Sequence, residues 1–281
     1  MSDTPRVMVT GAGGQLGSTV VARLAGQATV AAFARAELDI ADAAQVLDRM
    51  TAVGANLVIN CAAYNDVDGA EDAAPAALTA NALGVLALAR AAKTVGATFV
   101  HYSTDFVFDG KADRPYTEED PARPLSHYGR SKLLGEWFAA DAPSFYVLRV
   151  ESLFGSPQAK SSIDKIVGAI RGGQPIRVFS DRTVTPSYIE DVTSATLDLV
   201  ERRAPYGVYH CVNDGIATWM EIAEEAGRLL KLPANLVPVK VADVQLKAAR
   251  PKYCALSNEK LARAGVAMPS WQDALARYLR G

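Results

Sequence analysis

The chain has 281 residues, of which 49% are hydrophobic and 21% charged, values that exclude a disordered or fibrous protein. This length allows one large domain or two unequal ones. With 29 basic and 31 acidic residues the net charge is −2, which provides no basic surface for a nucleic acid or an anionic membrane, so we expect neither as a partner.

The N-terminus and the cysteines indicate the cellular compartment of the protein. The polar start MSDTP passes directly into an apolar strand, without the basic and apolar regions of a signal peptide. No later stretch approaches the ~20 uninterrupted apolar residues that a membrane-spanning helix needs. Cys61, Cys211 and Cys254 are odd in number and far apart, which predicts reduced thiols. We therefore expect a cytoplasmic protein.

The first half alternates short apolar runs with longer helical patterns. The predicted strands are RVMVTG, ATVAAFA, NLVINCAA, TFVHYSTD and SFYVLRV. Apolar runs without polar alternation predict strands that are covered on both faces, and the intervening helices predict right-handed parallel crossovers. The sequence thus predicts an α/β fold with a Rossmann-type, doubly wound parallel sheet over residues 1–150.

The sequence pattern changes after about residue 150. The loop ESLFGSPQAKSS is followed by short helices and by isolated strands such as IRVFS and GVYHCV. We expect residues 151–281 to form a smaller C-terminal lobe that mainly binds substrate, with some segments returning to the first domain.

A glycine-rich loop, VTGAGGQLG, follows the first strand and opens the first helix. Glycines there allow a tight turn and close approach to a pyrophosphate, whose charge is met by free amides and the helix dipole. This position predicts dinucleotide binding, and the alternative is a turn that merely packs tightly. The expected cofactor contacts in the loop are Gly11, Gly14, Gln15, Leu16 and Gly17.

The end of the second strand, AAFARAELD, bears on which dinucleotide is bound. It has no carboxylate at Phe33 or Ala34, whereas Arg35 suits a 2′-phosphate, which favours NADPH over NADH. The alternative for Arg35 is a solvated surface charge. Asp39 either caps the next helix or lies near the adenine, with Ile40 beside it, and both interpretations stay open.

Candidate catalytic groups follow the fourth strand. HYSTDFVFDG supplies Ser103, Thr104 and Asp105 at a strand end, where open α/β sheets bind ligands. Tyr128 and Lys132, four residues apart, share one face of a predicted amphipathic helix, and a nearby cation lowers the pKa of a phenol. Alone, this spacing indicates an exposed helix start; together with the glycine loop and the strand-end hydroxyl it predicts a catalytic pair.

These features together resemble the extended type of the short-chain dehydrogenase/reductase superfamily, whose glycine pattern is TGxxGxxG. NCAAYNDVDGAE, STDFVFDG, YGRSKLLGE, GVYHCVNDGIATWMEIA and RPKYCALSNEKL further resemble the dTDP-4-dehydrorhamnose reductase family, over nearly the whole chain. The resemblance implies hydride transfer from NADPH or NADH to C4 of a nucleotide-linked 4-keto-6-deoxy sugar. In that family the product is dTDP-L-rhamnose.

The same resemblance implies roles for individual residues. Tyr128 would donate a proton to the forming alkoxide, Lys132 would tune it and bind the cofactor ribose, and Thr104 would steady the ketone oxygen. Further cofactor contacts would be Ala62, Ala63 and Tyr64, and the residues expected on the substrate are Thr104, Asp105, Leu153, Arg182 and Arg250.

The chain departs from the family pattern on the substrate side. Leu153 stands where family members often carry tryptophan, and Arg182 replaces a glutamine in DRTVTPS. Some family members bind magnesium through carboxylates, one of them early in the first helix, but GSTVVARL has no carboxylate, so we expect no such metal here. A nucleotide sugar needs cations and aromatic walls, for which the candidates are Lys160, Lys165, Arg182, Arg250, Phe154 and Phe179.

Two alternatives remain open at this point. The chain could reduce another nucleotide ketosugar, or it could be a non-catalytic protein resembling the regulatory subunit of methionine adenosyltransferase. The intact set of Thr104, Tyr128 and Lys132 favours an enzyme. A homodimer is possible, because apolar helix faces that pair subunits look like core faces in a sequence.

Overall fold

The computed structural model describes residues 4–280, and the chain divides into two compact units. The first holds the chain up to Val107 together with Pro124–Arg149 and Pro205–Tyr209. The second holds Phe108–Arg123, Val150–Ala204 and the chain from His210 onward. The expected boundary at residue 150 is therefore wrong for residues 108–123, which join the second unit because the Tyr116 amide bonds the carbonyl oxygen of Ala255 at 2.8 Å.

Strands and helices alternate through the first unit. Its strands are β1 (Arg6–Thr10), β2 (Thr29–Phe33), β3 (Leu57–Asn60), β4 (Thr98–Thr104), β5 (Phe145–Val150) and β10 (Gly207–His210). Its helices are α1 (Gln15–Leu24), α2 (Ala43–Val53), α3 (Gly69–Asp72), α4 (Ala74–Leu78), α5 (Gly84–Val95) and α6 (His127–Ala139). A π-helical turn, Thr79–Leu83, joins α4 to α5, and a 3-10 turn, Asp105–Val107, follows β4.

The six strands form one sheet in the order β10-β5-β4-β3-β1-β2, which confirms the predicted Rossmann-type architecture. β1 pairs in parallel with both β2 and β3, and β3 pairs in parallel with β4. The chain leaves β1 for β2 and then returns past β1 to β3, so the strand order reverses between β1 and β3. Open α/β sheets bind ligands at such a reversal.

The core of the first unit lies between the sheet and helices α2 and α5. Met8, Val58, Leu88 and Phe99 are fully buried there. All four residues of β3 and four of the five in β1 are buried, as the continuous apolar runs predict for strands covered on both faces. GVYHCV, which we expected in the lobe, instead supplies β10 at the edge of this sheet.

One helical stretch, Ala74–Val95, is long and apolar enough to cross a membrane by length and composition alone. Half of its most apolar window is buried in the structure. Its buried side chains Val85, Leu88 and Ala92 belong to the core of the first unit. The stretch therefore has the character of a core helix, although the sequence alone predicted no comparable segment.

The second unit is built of short helices and strands, as its sequence pattern predicts. Its strands are β6 (Leu153–Phe154), β7 (Ile176–Phe179), β8 (Thr183–Val184), β9 (Ser187–Tyr188), β11 (Ala217–Thr218) and β12 (Leu236–Val239), and they pair as β6 with β9, β7 with β12 and β8 with β11. Its helices are α7 (Ser162–Arg171), α8 (Ile189–Glu201), α9 (Trp219–Leu230), α10 (Glu259–Arg263) and α11 (Trp271–Arg280). Phe154, Ile163 and Ile222 lie in its core.

Candidate active site

The glycine loop packs closely against the residues after β3 and against the start of α1. Gly11 has a φ of +67°, and a Cβ there would lie 2.5 Å from the Ala62 nitrogen. A Cβ on Gly17 would lie 2.3 Å from the Gly11 carbonyl oxygen. Real Cβ atoms do not approach backbone atoms this closely, so both positions require glycine. The loop thus has the shape in which a backbone can approach a pyrophosphate.

The N-terminus of α1 is suited to an anion. Its N-cap residue, Gly14, has no side chain to cap the helix, and the first turn contains no acidic residue. The positive end of the helix dipole is therefore not neutralised by its own side chains. Gln15 also places a buried Oε1 atom there without a hydrogen-bond partner among the described residues. These residues fit the predicted dinucleotide.

In the segment after β2, the predicted cofactor contacts Arg35, Asp39 and Ile40 lie in three different environments. Arg35 is exposed just beyond the strand. The capping interpretation of Asp39 is wrong, because α2 begins later and its N-cap is Asp42, which accepts bonds from the Ala44 and Gln45 amides. Asp39 instead accepts from the Ala41 amide at 3.0 Å. Ile40 lies in the core of the unit, buried in the same apolar cluster as Met8.

Two buried asparagines hold the segment after β3 in place. Asn60 Oδ1 accepts from the Ala62 amide at 3.0 Å. Asn81, in the π-helical turn, accepts from the Tyr64 amide at 2.8 Å and donates to the Tyr64 carbonyl at 3.0 Å. The predicted cofactor segment Ala62, Ala63 and Tyr64 is thereby fixed beside the glycine loop. We did not predict either asparagine, although an amide within an apolar run is a usable signal.

Tyr128 is buried near Asp105 and Thr104. The N-cap of α6 is Ser126, whose side chain accepts from the Gly129 amide at 3.1 Å, so Tyr128 lies in the first turn. Thr104 donates from Oγ1 to Asp105 Oδ1 at 2.9 Å. Burial and then the Asp105 charge raise the pKa of Tyr128, and the Thr104 side chain opposes them. The phenol is therefore held in its protonated form.

Lys132 is also buried, but its ammonium group points to the sheet. Nζ donates to the Tyr102 carbonyl at 2.5 Å and lies 3.4 Å from His101 Nε2. Burial lowers the pKa of Lys132 from its ordinary 10.5 to about 8, opposed by Glu136 and Cys61. The expectation that Lys132 lowers the pKa of Tyr128 does not hold here: burial and the Asp105 charge raise that pKa, and the side chain that lowers it is Thr104 rather than Lys132.

Helix α6 is not the amphipathic surface helix that we predicted. It buries the polar side chains of Ser131, Lys132 and Glu136 as well as apolar ones. Glu136 forms a buried ion pair with Arg149, and its Oε1 accepts a bond from Ser103 Oγ at 2.5 Å. The buried polar side chains of α6 therefore find hydrogen-bond or ion-pair partners within the first unit.

A cavity of about 280 Å³ lies within the second unit, and it brings together three residues predicted to contact a nucleotide sugar. Lys165, Phe179 and Arg182 line it, together with Arg177 and Trp219, which we did not predict. Trp219 Nε1 is buried without a hydrogen-bond partner among the described residues. The lining does not include the other candidates of this unit, Leu153, Phe154, Lys160 and Arg250. Phe154 belongs to the core.

The sheet and the glycine loop at its reversal point are those of a dinucleotide-binding oxidoreductase of the extended short-chain dehydrogenase/reductase type. The chain belongs to the family described as RmlD substrate binding domain, whose model matches residues 5–281.

Named relatives agree with this assignment. The chain is 36% identical to dTDP-4-dehydrorhamnose reductase of Mycobacterium tuberculosis (strain H37Rv), covering 98% of this chain and 92% of the relative. It is 36% identical to a probable dTDP-4,6-dihydroxy-2-methyloxan-3-one 4-ketoreductase of Streptomyces antibioticus, covering 96% and 93%. The crystal structure of dTDP-4-dehydrorhamnose reductase from Bacillus anthracis in complex with NADP has a TM-score of 0.94 at 31% identity, covering 99% of each chain.

Proposed function

We propose that this protein uses NADPH or NADH to reduce the 4-keto group of a nucleotide-linked 6-deoxy sugar, converting dTDP-4-dehydrorhamnose to dTDP-L-rhamnose in the cytoplasm. The observation that carries the proposal is the presence, in one unit, of a glycine cradle for a dinucleotide and of a buried Tyr128, whose pKa is raised by burial and by the Asp105 charge. Family membership and the names of the relatives support the substrate.

The chemistry requires a hydride and a proton. A dinucleotide held by the glycine loop would supply the hydride to C4 of the sugar. Tyr128 gives its phenolic proton to the C4 oxygen, and its raised pKa keeps that proton in place until negative charge develops on the oxygen. The Thr104 hydroxyl would steady the ketone oxygen, a role that the family resemblance implies. The resulting phenolate then regains a proton from solvent.

Lys132 serves this reaction by binding. Its ammonium bonds the Tyr102 carbonyl through one N–H and has two more to offer. These suit the hydroxyl groups of the nicotinamide ribose. Arg35, exposed after β2, suits the 2′-phosphate that distinguishes NADPH from NADH, so NADPH is the proposed preference.

The cavity of the second unit supports a nucleotide-linked substrate. Lys165, Arg177 and Arg182 give it three cations for a pyrophosphate, and Phe179 and Trp219 give it aromatic surface for a base. The unpaired Trp219 Nε1 offers one further donor. This combination of apolar walls and a few polar groups is typical of small-molecule sites. Leu153 and Arg250 remain proposed substrate contacts outside its lining.

The test is NADPH oxidation by the purified protein with dTDP-4-dehydrorhamnose and with other nucleotide 4-ketosugars under one protocol. We expect turnover with dTDP-4-dehydrorhamnose, and dTDP-L-rhamnose as product. Faster turnover of another ketosugar would identify that sugar as the substrate, an alternative supported by Leu153, Arg182 and the Streptomyces relative. Cofactor binding without reduction of any ketosugar would contradict the proposal and favour a regulatory subunit.

A further inference from the structure

A row of buried polar side chains crosses the sheet beneath Lys132. Thr10 on β1, Asn60 on β3 and His101 on β4 are register partners on neighbouring strands. Each is at most 1% exposed. Thr10 Oγ1 donates to Asn60 Oδ1 at 2.7 Å, and Asn60 Nδ2 lies 3.0 Å from His101 Nδ1. The other ring nitrogen, Nε2, faces Lys132 Nζ at 3.4 Å.

The hydrogen bonds of Asn60 determine the tautomer of His101. Asn60 Oδ1 accepts from both Thr10 Oγ1 and the Ala62 amide, so the amide oxygen points away from the imidazole. The Nδ2 group, which can only donate, therefore faces His101 Nδ1, and Nδ1 must accept. Burial, together with the charge of Lys132, holds the pKa of His101 well below its ordinary value, so the ring is neutral. A neutral ring that accepts at Nδ1 carries its proton on Nε2.

This tautomer places a donor opposite another donor. An ammonium group has three N–H bonds and no acceptor, so the Nε2–H of His101 cannot receive a bond from Lys132. Helix α6 packs close to the ring, since a Cβ on Gly135 would lie 3.4 Å from Nε2. Of the two contacts that Nζ makes with β4, only the Tyr102 carbonyl can accept a bond.

We propose that His101 is a positioning residue that acts through Lys132. Its Nε2–H cannot accept a hydrogen bond from the ammonium, which therefore keeps two N–H bonds for the cofactor ribose. This inference rests on the proposed role of Lys132 as a ribose ligand. The other titratable groups around Lys132 are Glu136 on its own helix and Cys61 after β3, which both favour the charged lysine. His101, which is neutral and turns a donor toward Nζ, gives the ammonium neither a counter-charge nor an acceptor.

The tautomer can be tested without turnover. Nitrogen-15 NMR of the full-length protein labelled at its three histidines shows which ring nitrogen carries the proton. The resonances of His101 are assigned by their loss in His101→Asn. We expect a neutral ring from about pH 6 to pH 9, with the proton on Nε2. A proton on Nδ1, or titration near the ordinary histidine pKa, would overturn the proposal even if the protein reduces no ketosugar.

A pair of variants tests the effect on Lys132. His101→Asn keeps an acceptor near the Nδ1 position for Asn60 and has no atom near Nε2, whereas His101→Gln can place its Oε1 atom near the Nε2 position, where it accepts a bond from the ammonium. We expect His101→Gln to weaken NADPH binding, measured by fluorescence titration, and to move the alkaline limb of kcat/KM upward by about one pH unit, a tenfold change in proton affinity. His101→Asn, which offers the ammonium no acceptor, should stay closer to wild type in both measurements.

The proposal fails if folded His101→Gln, checked by thermal denaturation, matches wild type in both readouts. It also fails if His101→Asn and His101→Gln change them equally, because a purely structural role of the ring predicts that result. Absence of ketosugar reduction by the wild-type protein would instead refute the proposed function, and the NMR and NADPH measurements would still decide the role of His101.

Discussion

Glu136 and Arg149 form a two-point ion pair inside the first unit, with Arg149 Nε 2.9 Å from Glu136 Oε1 and Nη2 2.7 Å from Oε2. Their side chains are only 3% and 6% exposed, respectively. Glu136 stands one helical turn after Lys132 and favours the charged form of that lysine. The carboxylate therefore joins α6 to β5 and partly offsets the burial of Lys132.

Replacing Glu136 by glutamine should leave Arg149 charged and buried without its counterion. Breaking a buried pair in this way costs about 3–5 kcal/mol in the free energy of unfolding, which denaturant titration measures. Asp141→Asn is the control, because the Arg90–Asp141 pair is 67% and 46% exposed, and such pairs contribute at most about 1 kcal/mol. Equal losses in the two variants would contradict this account of Glu136.

The pKa of Lys132 predicts opposite pH trends for activity and stability. The folded-state pKa is lowered from 10.5 to about 8. Between these values the folded chain has lost a proton that the unfolded chain retains, so stability should rise with pH over this window. Below about pH 8 both states carry the proton, and the cost of burying the charge is fully present. Activity should fall above about pH 8, because the ammonium is lost.

Lys132→Met is the matched variant for this prediction. Denaturant unfolding of wild type and Lys132→Met at several pH values between about 7 and 10 gives the difference in stability that belongs to the lysine. We expect the wild type to gain stability relative to the variant as the pH rises. A constant difference across this range would show that the pKa of Lys132 is not lowered by folding.

The glycine loop makes a prediction for cofactor binding. Gly17→Ala should weaken NADPH binding by at least about tenfold, because the new Cβ would overlap the Gly11 carbonyl oxygen and displace the loop. Gly13→Ala is the control in the same loop, since its Cβ would meet only Ala34 Cβ at 3.8 Å. Fluorescence titration with NADPH measures both. Similar affinities in both variants would contradict the proposed cradle.

Arg35 makes a prediction for cofactor preference. Arg35→Ala should raise KM for NADPH by about tenfold and leave KM for NADH nearly unchanged, because only NADPH carries the 2′-phosphate. Arg23→Ala, which removes an exposed cation from the last turn of α1, controls for net charge. If Arg35→Ala and Arg23→Ala affect NADPH equally, Arg35 is a solvated surface charge.

Local sequence signals were enough to predict the sheet, and they gave the candidate site as a hypothesis. Buried strands appear as apolar runs, the glycines follow β1, Thr104 ends β4, and Tyr128 lies at the start of a helix. The position of Asp39 was harder, because Asp39 and Asp42 lie three residues apart and only one of them caps α2. Helix boundaries of this kind depend on the exact turn geometry.

The parts that sequence reasoning missed depend on contacts between distant residues. Thr10 and Asn60 are 50 positions apart and Asn60 and His101 41 apart, so their row exists only once the strands pair in register. Residues 108–123 were misplaced for the same reason, since Tyr116 bonds the Ala255 carbonyl. The raised pKa of Tyr128 follows from burial and from Asp105, whose effects spacing on a helix does not reveal.

The central claim is that Tyr128 donates the proton in NADPH-dependent reduction of the ketosugar. Its most direct test is single-turnover oxidation of bound NADPH by dTDP-4-dehydrorhamnose in wild type and in Tyr128→Phe. We predict one NADPH oxidised per ketosugar in wild type and a rate at least about 10²-fold lower in the variant, with NADPH affinity retained. Equal rates in the two proteins, or no oxidation by wild type, would contradict the claim.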